Sequence, residues 1–232
     1  AEPLAGPSEM DFCRIARMLG IWLVPGSFYV RDGDSVYNLT PVINPAGEVV
    51  ARHRKLFPFL PYETGVASGT EFTIFDVPKV GRFGVSICYD MWFPETTRTL
   101  AAMGAEVILH PSMTNTIDRD VELAIARTNA AINQCYFLDI NVAGRLGFGQ
   151  SIVCGPGGET IHVAGRGRDG RRLPHHAPSS RRPPHRGPHV PQAHVLQRGE
   201  SNSRTGPAAD PGGDRPEGRG CLVYRPRFCE RQ

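Results

Sequence analysis

The chain has no stretch approaching the ~18 consecutive apolar residues that a membrane span requires. Its first residues, AEPLAGPSEM, have neither a basic n-region nor an apolar h-region. A secretory or membrane address is therefore unsupported. The six cysteines (Cys13, Cys88, Cys135, Cys154, Cys221, Cys229) show no Cys-x-x-Cys spacing and no regular framework. That argues against a disulfide scaffold or a thiolate zinc site and reads as free thiols in a reducing, cytoplasmic compartment. Lysine is missing altogether from residues 166 to 232, where fourteen Arg face six acids. That segment has a net charge of +8, which leaves −5 for residues 1 to 165 within a formal total of +3.

What is present fits one core. With 232 residues, 40% hydrophobic and 21% charged, the chain is long enough to bury a sizeable interior. Residues 8 to 165 alternate α and β patterns. Ser8 is expected to cap a helix running to Leu19, ended by Gly20. The β-type run 21–30 follows, interrupted at Pro25. Strands at 36–44 and 48–55 flank the turn Pro45-Ala46-Gly47. Further strands are expected at 72–77, 81–88 and 106–110, with a helix headed by Pro94 and carrying Glu95 in its first turn. Residues 118–134 read as an amphipathic helix with Val121, Ala124, Ile125, Thr128 and Ile132 on its apolar face. A strand and a hairpin around Gly155-Pro156-Gly157-Gly158 complete the pattern. This alternation indicates an α/β fold.

One constellation carries chemistry. Cys88 ends the strand GVSIC just before the helix start at Pro94, a sharp turn that exposes a thiol beside backbone N–H groups. A thiolate nucleophile needs a base to form it and a cation or N–H donors to hold the oxyanion it creates. Lys55 ends the strand EVVARHRK, and Lys is a compact cation that a pocket can desolvate. Glu63 follows eight residues later in an apolar loop, where a lone carboxylate is costly unless it pairs with a group such as Lys55.

At these residues the chain resembles the nitrilase superfamily of carbon-nitrogen hydrolases. HRKLFPF is similar to the family's lysine motif and places the lysine at Lys55. PYETGVASGTEF matches the loop of its second glutamate at Glu63, and GVSICYDMWFPE resembles its nucleophile motif, with the cysteine at Cys88. The variant C-Y-D-x-x-F-P-E resembles the amidase branches. The resemblance implies a four-layer αββα sandwich over residues 1–165. It also implies hydrolysis of a small amide through a cysteine thioester, with Lys55 and the Tyr89 backbone N–H on the oxyanion. Tyr89 and Trp92 are candidate substrate-lining residues, against the alternative that they pack a helix start. No metal or organic cofactor is implied, nor a nucleic-acid or membrane partner, and the family implies a homo-oligomer. The alternatives are a nitrilase, an N-carbamoyl amide hydrolase, or a catalytically inactive fragment.

Two departures shape the expectations. The family's general-base glutamate lies upstream of a segment similar to residues 1–27, so the first strand is expected to be missing and turnover impaired. Glu2 is read as an ordinary loop or first-turn acid with no strand before it. After the hairpin near residue 163 the family continues with another strand. Here residues 166–232 bring ten prolines and nine glycines, a composition expected to be disordered and to match an out-of-frame reading of a GC-rich sequence.

Overall fold

Pro7 and Gly20 bracket the first helix, α1 (Pro7–Leu19). The proline has no N–H to waste at a helix start, and the glycine adopts the left-handed conformation (φ 63°) that lets its N–H return to the carbonyls of Ala16 and Arg17. The computed structural model describes residues 1–144 and 146–166; the expected tail therefore lies outside the described residues, apart from Arg166. Ser8 does not cap α1. Gly6 is the cap residue, and Ser8, the second residue of the helix, gives both its N–H (3.0 Å) and its hydroxyl (2.6 Å) to the Glu2 carboxylate. Glu2 is also not a loop acid: Glu2–Pro3 forms a short strand, β1, parallel to β2 (Phe28–Asp32). Its carboxyl is held below its ordinary value by those two hydrogen bonds from Ser8.

The first sheet runs β1-β2-β3-β4, with β3 at Ser35–Ile43 and β4 at Val49–Arg54, and a two-residue β5 (Val66–Ala67) pairs with β3. Of the run 21–30, the part before Pro25 joins only through a bridge from Leu23 to Ile43. The second sheet has the order β11-β10-β9-β8-β7-β6. Its strands are β6 (Thr73–Val77), β7 (Gly81–Val85), β8 (Val107–Ser112), β9 (Tyr136–Asn141), β10 (Ile152–Cys154) and β11 (Thr160–Val163). Strands β7, β8 and β9 are parallel, so each needs a helical crossover: α2 (Pro94–Ala102) and α3 (Asp118–Asn133). Strand β8 runs past the expected His110 through Pro111. This is tolerated because β7 pairs only as far as Leu109, leaving Pro111 on an unpaired flank.

The two sheets face each other across Val42, Phe75 and Val85, with Trp22, Ala51, Phe83 and Leu109 packed around them. Helices α2 and α3 cover the other face of the second sheet through Leu100, Ala126, Ala130, Ile108, Phe137 and Ile152, and α1 packs on β3. This is the expected four-layer αββα sandwich. Each fully buried Leu, Ile or Phe contributes about 1.5–3 kcal/mol of transfer free energy. At Gly84 a Cβ would meet Ile108, Ala105 and Leu100 at 3.0–3.2 Å, so the absent side chain sets how closely α2 lies on β7.

The expected buried face of α3 is a correction. Val121, Ala124, Thr128 and Ile132 are exposed, and the face turned inward is Arg119, Glu122, Ala126, Asn129 and Ala130. Helical spacing was right, but the polar side chains have buried partners at the ends of the strands beneath. Among the described residues no helix is long and apolar enough to cross a membrane.

Candidate active site

The chemistry gathers at the carboxyl ends of β7, β8 and β9, where open α/β sheets form their crevices. Strand β7 stops at Val85, sooner than expected, and Ser86 and Ile87 lead into a 3-10 turn, Cys88–Trp92. Cys88 opens that turn at φ 48°, a conformation that non-glycine residues rarely adopt and that lifts the side chain out of the strand line. Asp90 enforces it. Its fully buried carboxylate accepts the N–H of Ile87 and the N–H of Phe57, each at 2.9 Å, and lies 3.4 Å from His53 Nε2. Through Phe57 and His53 it ties the nucleophile turn to the end of β4.

Lys55 stands one residue past β4. Its N–H donates to Asn38 and its carbonyl accepts from Gly69, both at 2.8 Å. Only glycine fits at 69, because a Cβ there would sit 2.2 Å from the Arg54 carbonyl oxygen. The Lys55 side chain is 2% exposed and its Nζ donates to Glu63 Oε2 at 2.5 Å. Glu63 also accepts from Asn38 Nδ2 (2.7 Å) and the Phe59 N–H (2.5 Å), with the Tyr29 hydroxyl at 3.5 Å. Burial alone would raise its carboxyl, but the hydrogen bonds from Lys55, Phe59 and Asn38 and the Lys55 charge outweigh it and hold the group below its ordinary value.

Burial pushes the Cys88 thiol up. The Lys55 charge, the Met113 N–H and the Ser112 hydroxyl pull it back, while the Glu122 carboxylate pushes in the same sense as burial. The Lys55 charge thus reaches the thiol, and Lys55 is held by Glu63. Segment 112–114 is in turn tied to α3. Thr114 donates to Glu122 Oε1 (2.9 Å), and Arg119 donates to Glu122 Oε2 (3.1 Å), to Asp139 Oδ2 (2.7 Å) and to the Gln150 carbonyl (2.8 Å). Asn141 clamps Thr114, accepting its N–H (2.8 Å) and donating to its carbonyl (3.1 Å). Burial raises the Asp139 carboxyl to about 7 even with Arg119 beside it. His110 pairs Nδ1 with Ser86 Oγ at 2.7 Å; burial and then the charge of Arg119 push it down to about 3, so it is neutral at ordinary pH.

Tyr89 lies against Phe59 (4.9 Å between centroids) and edge-on to Phe93 (5.3 Å). Trp92 is 6.3 Å from Tyr89 and packs against the core under α3. Sequence reasoning did not find Asn38, Ser112, Arg119, Glu122, Asp139 or Asn141. Asp90 was visible inside the quoted nucleophile motif. Arg119 and Glu122 carried no signal, since polar positions three apart on a helix ordinarily face water. Among the described residues no group of three or more His, Cys, Asp or Glu side chains is arranged to hold a metal ion.

The family model for carbon-nitrogen hydrolases matches residues 1–172. A formamidase of Bacillus cereus is 35% identical over 155 residues, covering 65% of this chain and 46% of its own, and a formamidase of Bacillus anthracis is 35% identical over 134 residues, covering 56% and 40%. The chain thus spans about half the length of these curated relatives. Saccharomyces cerevisiae Nit3, a member of branch 10 of the nitrilase superfamily, superposes with a TM-score of 0.65 at 32% identity, over 71% of this chain and 63% of its own. An amidase from Nesterenkonia sp. AN1, in a mutant form complexed with butyramide, gives 0.65 at 25% identity, over 69% and 63%. Another mutant of that amidase carries the acetamide moiety of fluoroacetamide on its active-site cysteine.

Proposed function

Because the chain belongs to the carbon-nitrogen hydrolase family, we propose that it hydrolyses the carbon–nitrogen bond of a small amide through a thioester on Cys88. The observation that carries this reading is the buried Lys55–Glu63 pair, 2.5 Å apart, whose positive end acts on a thiol held at a left-handed turn. An ammonium this deeply buried is costly unless paired. Paired to Glu63, it keeps hydrogens for the negative charge that develops on a carbonyl oxygen under attack.

In the proposed cycle Cys88 attacks the amide carbon, and Lys55 with the Tyr89 backbone N–H holds the oxyanion. The carbon–nitrogen bond breaks, nitrogen leaves as ammonia after taking a proton, and water cleaves the thioester to release the acid and restore the thiol. Tyr89, with Phe59 and Phe93 against it, supplies an apolar wall, and Trp92 backs it. The formamidase relatives and the butyramide-bound neighbour support small aliphatic amides as substrates, ahead of nitriles or N-carbamoyl compounds.

The test is ammonia release from formamide, acetamide and butyramide by the full chain, together with fluoroacetamide labelling read by mass spectrometry. Weak turnover and a label on the Cys88 peptide, both lost in Cys88→Ala, are expected. Turnover that survives Cys88→Ala overturns the reading. We propose further that the chain works in a reducing compartment, supported by free thiols at Cys13, Cys88, Cys135 and Cys154. Self-association is supported by the exposed apolar Val121 and Ile132 on α3.

A further inference from the structure

Three neighbours form a row across the first sheet. Tyr29 on β2 stands opposite Asn38 on β3, and Lys55, whose N–H bonds to the Asn38 carbonyl, continues the row one residue past β4. Alternate side chains of a strand share a face, so Asn38 points the same way as Thr40 and Val42, and Val42 packs against the second sheet. The row therefore faces inward. All three side chains converge on Glu63: Lys55 Nζ at 2.5 Å, Asn38 Nδ2 at 2.7 Å and the Tyr29 hydroxyl at 3.5 Å. Lys55 is buried, but Tyr29 is 45% exposed, so it stands where the row opens to solvent. The proposed cycle uses Lys55 and Glu63 and gives Tyr29 no part.

The direction of the Tyr29 bond is fixed even though the bond is long. The Glu63 carboxyl is held below its ordinary value, so it is ionised at neutral pH and only accepts. The single phenol hydrogen is therefore turned to Glu63, which leaves the lone pairs of the Tyr29 oxygen for other donors. Burial, the Glu63 charge, the hydrogen bond to Glu63 and the Cys88 charge all push the phenol up, so it keeps that hydrogen. Whatever enters beside Glu63 thus meets Tyr29 as an acceptor.

A primary amide needs partners of both kinds. Its carbonyl oxygen takes hydrogen bonds, which Lys55 and the Tyr89 N–H supply in the proposed cycle, and its NH2 group gives them, which neither of those donors can receive. We infer that Tyr29 is a substrate-binding residue whose hydroxyl oxygen accepts an N–H of the carboxamide, and that it sets a preference for amides over esters of the same acyl group. An ester has no hydrogen at that position and turns the lone pairs of its alkoxy oxygen towards those of Tyr29. Because Tyr29 is half-exposed, water can satisfy it when an ester is bound, so the discrimination is that of one neutral hydrogen bond, about fivefold.

The inference rests on the amidase reading with Cys88 as nucleophile, and its test reads the thiol rather than turnover. The full chain is treated near neutral pH with 2-chloroacetamide and, separately, with methyl chloroacetate, which carry the same reactive carbon beside an amide or an ester. Labelling of the Cys88 peptide is followed by mass spectrometry over a range of reagent concentrations, and each rate is divided by that of free cysteine with the same reagent. Tyr29→Phe removes one oxygen from a half-exposed side chain, and a circular dichroism melt checks that the fold is kept. In this variant the amide-to-ester ratio of labelling rates is expected to fall about fivefold. The loss should appear in the half-saturating concentration of chloroacetamide, with its maximal rate and the methyl chloroacetate rate unchanged. A hydroxyl that only steadied Glu63 would slow both reagents alike. An unchanged ratio, whether the two rates stay or fall together, overturns the assignment of Tyr29. A lowered ratio without ammonia release overturns the amidase reading alone, and release with an unchanged ratio overturns only the role of Tyr29. Failure of both reagents to label Cys88 overturns both.

Discussion

Replacing Glu63 by glutamine tests the central pair while keeping its shape. The substitution removes one charge from an ion pair whose side chains are 2% and 6% exposed and leaves the Lys55 ammonium buried without its counter-charge. It also turns one of the accepting oxygens into an NH2 group facing other donors, since Lys55, Asn38 and the Phe59 N–H all converge on this carboxylate. Breaking a buried pair in this way costs about 3–5 kcal/mol. Because the Glu63 carboxyl is held below its ordinary value, its contribution is fully present above the unfolded carboxylate value and is lost as pH falls through the folded one. Urea unfolding near pH 7 is therefore expected to show the full deficit for Glu63→Gln, and the gap to narrow steadily below about pH 4.5. Lys55→Met combined with Glu63→Gln should be less destabilised than the two single changes predict, since no lone charge is left behind. The surface pair Arg54–Asp32, each side chain 38% exposed, supplies the contrast: Asp32→Asn should cost no more than about 1 kcal/mol. A deficit below about 1 kcal/mol for Glu63→Gln, or one that does not change with pH, would refute the argument that this pair is dry and tightly held.

Asp90→Asn places an amide hydrogen against an N–H or His53 and should cost about 1.5–3 kcal/mol for each charge-assisted bond lost, with ammonia release falling as the Phe57 segment comes away from the nucleophile turn; urea unfolding and the amide assay together check it. Asp139, raised to about 7 by burial, binds its proton more tightly folded than unfolded, so it makes the native state lose stability as pH rises from about 4 to 7. Asp139→Asn removes that slope, and its stability relative to wild type should be more favourable at pH 8 than at pH 5; parallel pH-stability curves would contradict this. Val121→Lys and Ile132→Lys, on the exposed face of α3, should each alter the stability of a monomer by less than about 0.5 kcal/mol. If the chain self-associates through that face, light scattering should instead report a loss of mass.

Much of the layout was legible in one dimension because it rests on local rules. Gly20, Pro94 and the Gly155–Gly158 turn mark element ends through restrictions on φ and on backbone donors, and apolar patterning marked the longer strands of both sheets, though not the two-residue β1 and β5. The nucleophile motif around Cys88, the lysine at the end of β4 and the acid eight residues later also stood in the sequence as a pattern. What the sequence could not determine is which groups meet across layers. A helix pattern tells which side chains share a face, not which face the sheet takes, and α3 turned its Arg119–Glu122–Asn129 side inward because Asp139, Thr114 and the Met91 carbonyl wait there as partners. Likewise nothing local links Asp90 to Phe57, or Asn141 to Thr114. Those contacts exist because parallel strands place the ends of β7, β8 and β9 side by side, and only in that dry crevice do hydroxyls and carboxylates distant in sequence depend on one another.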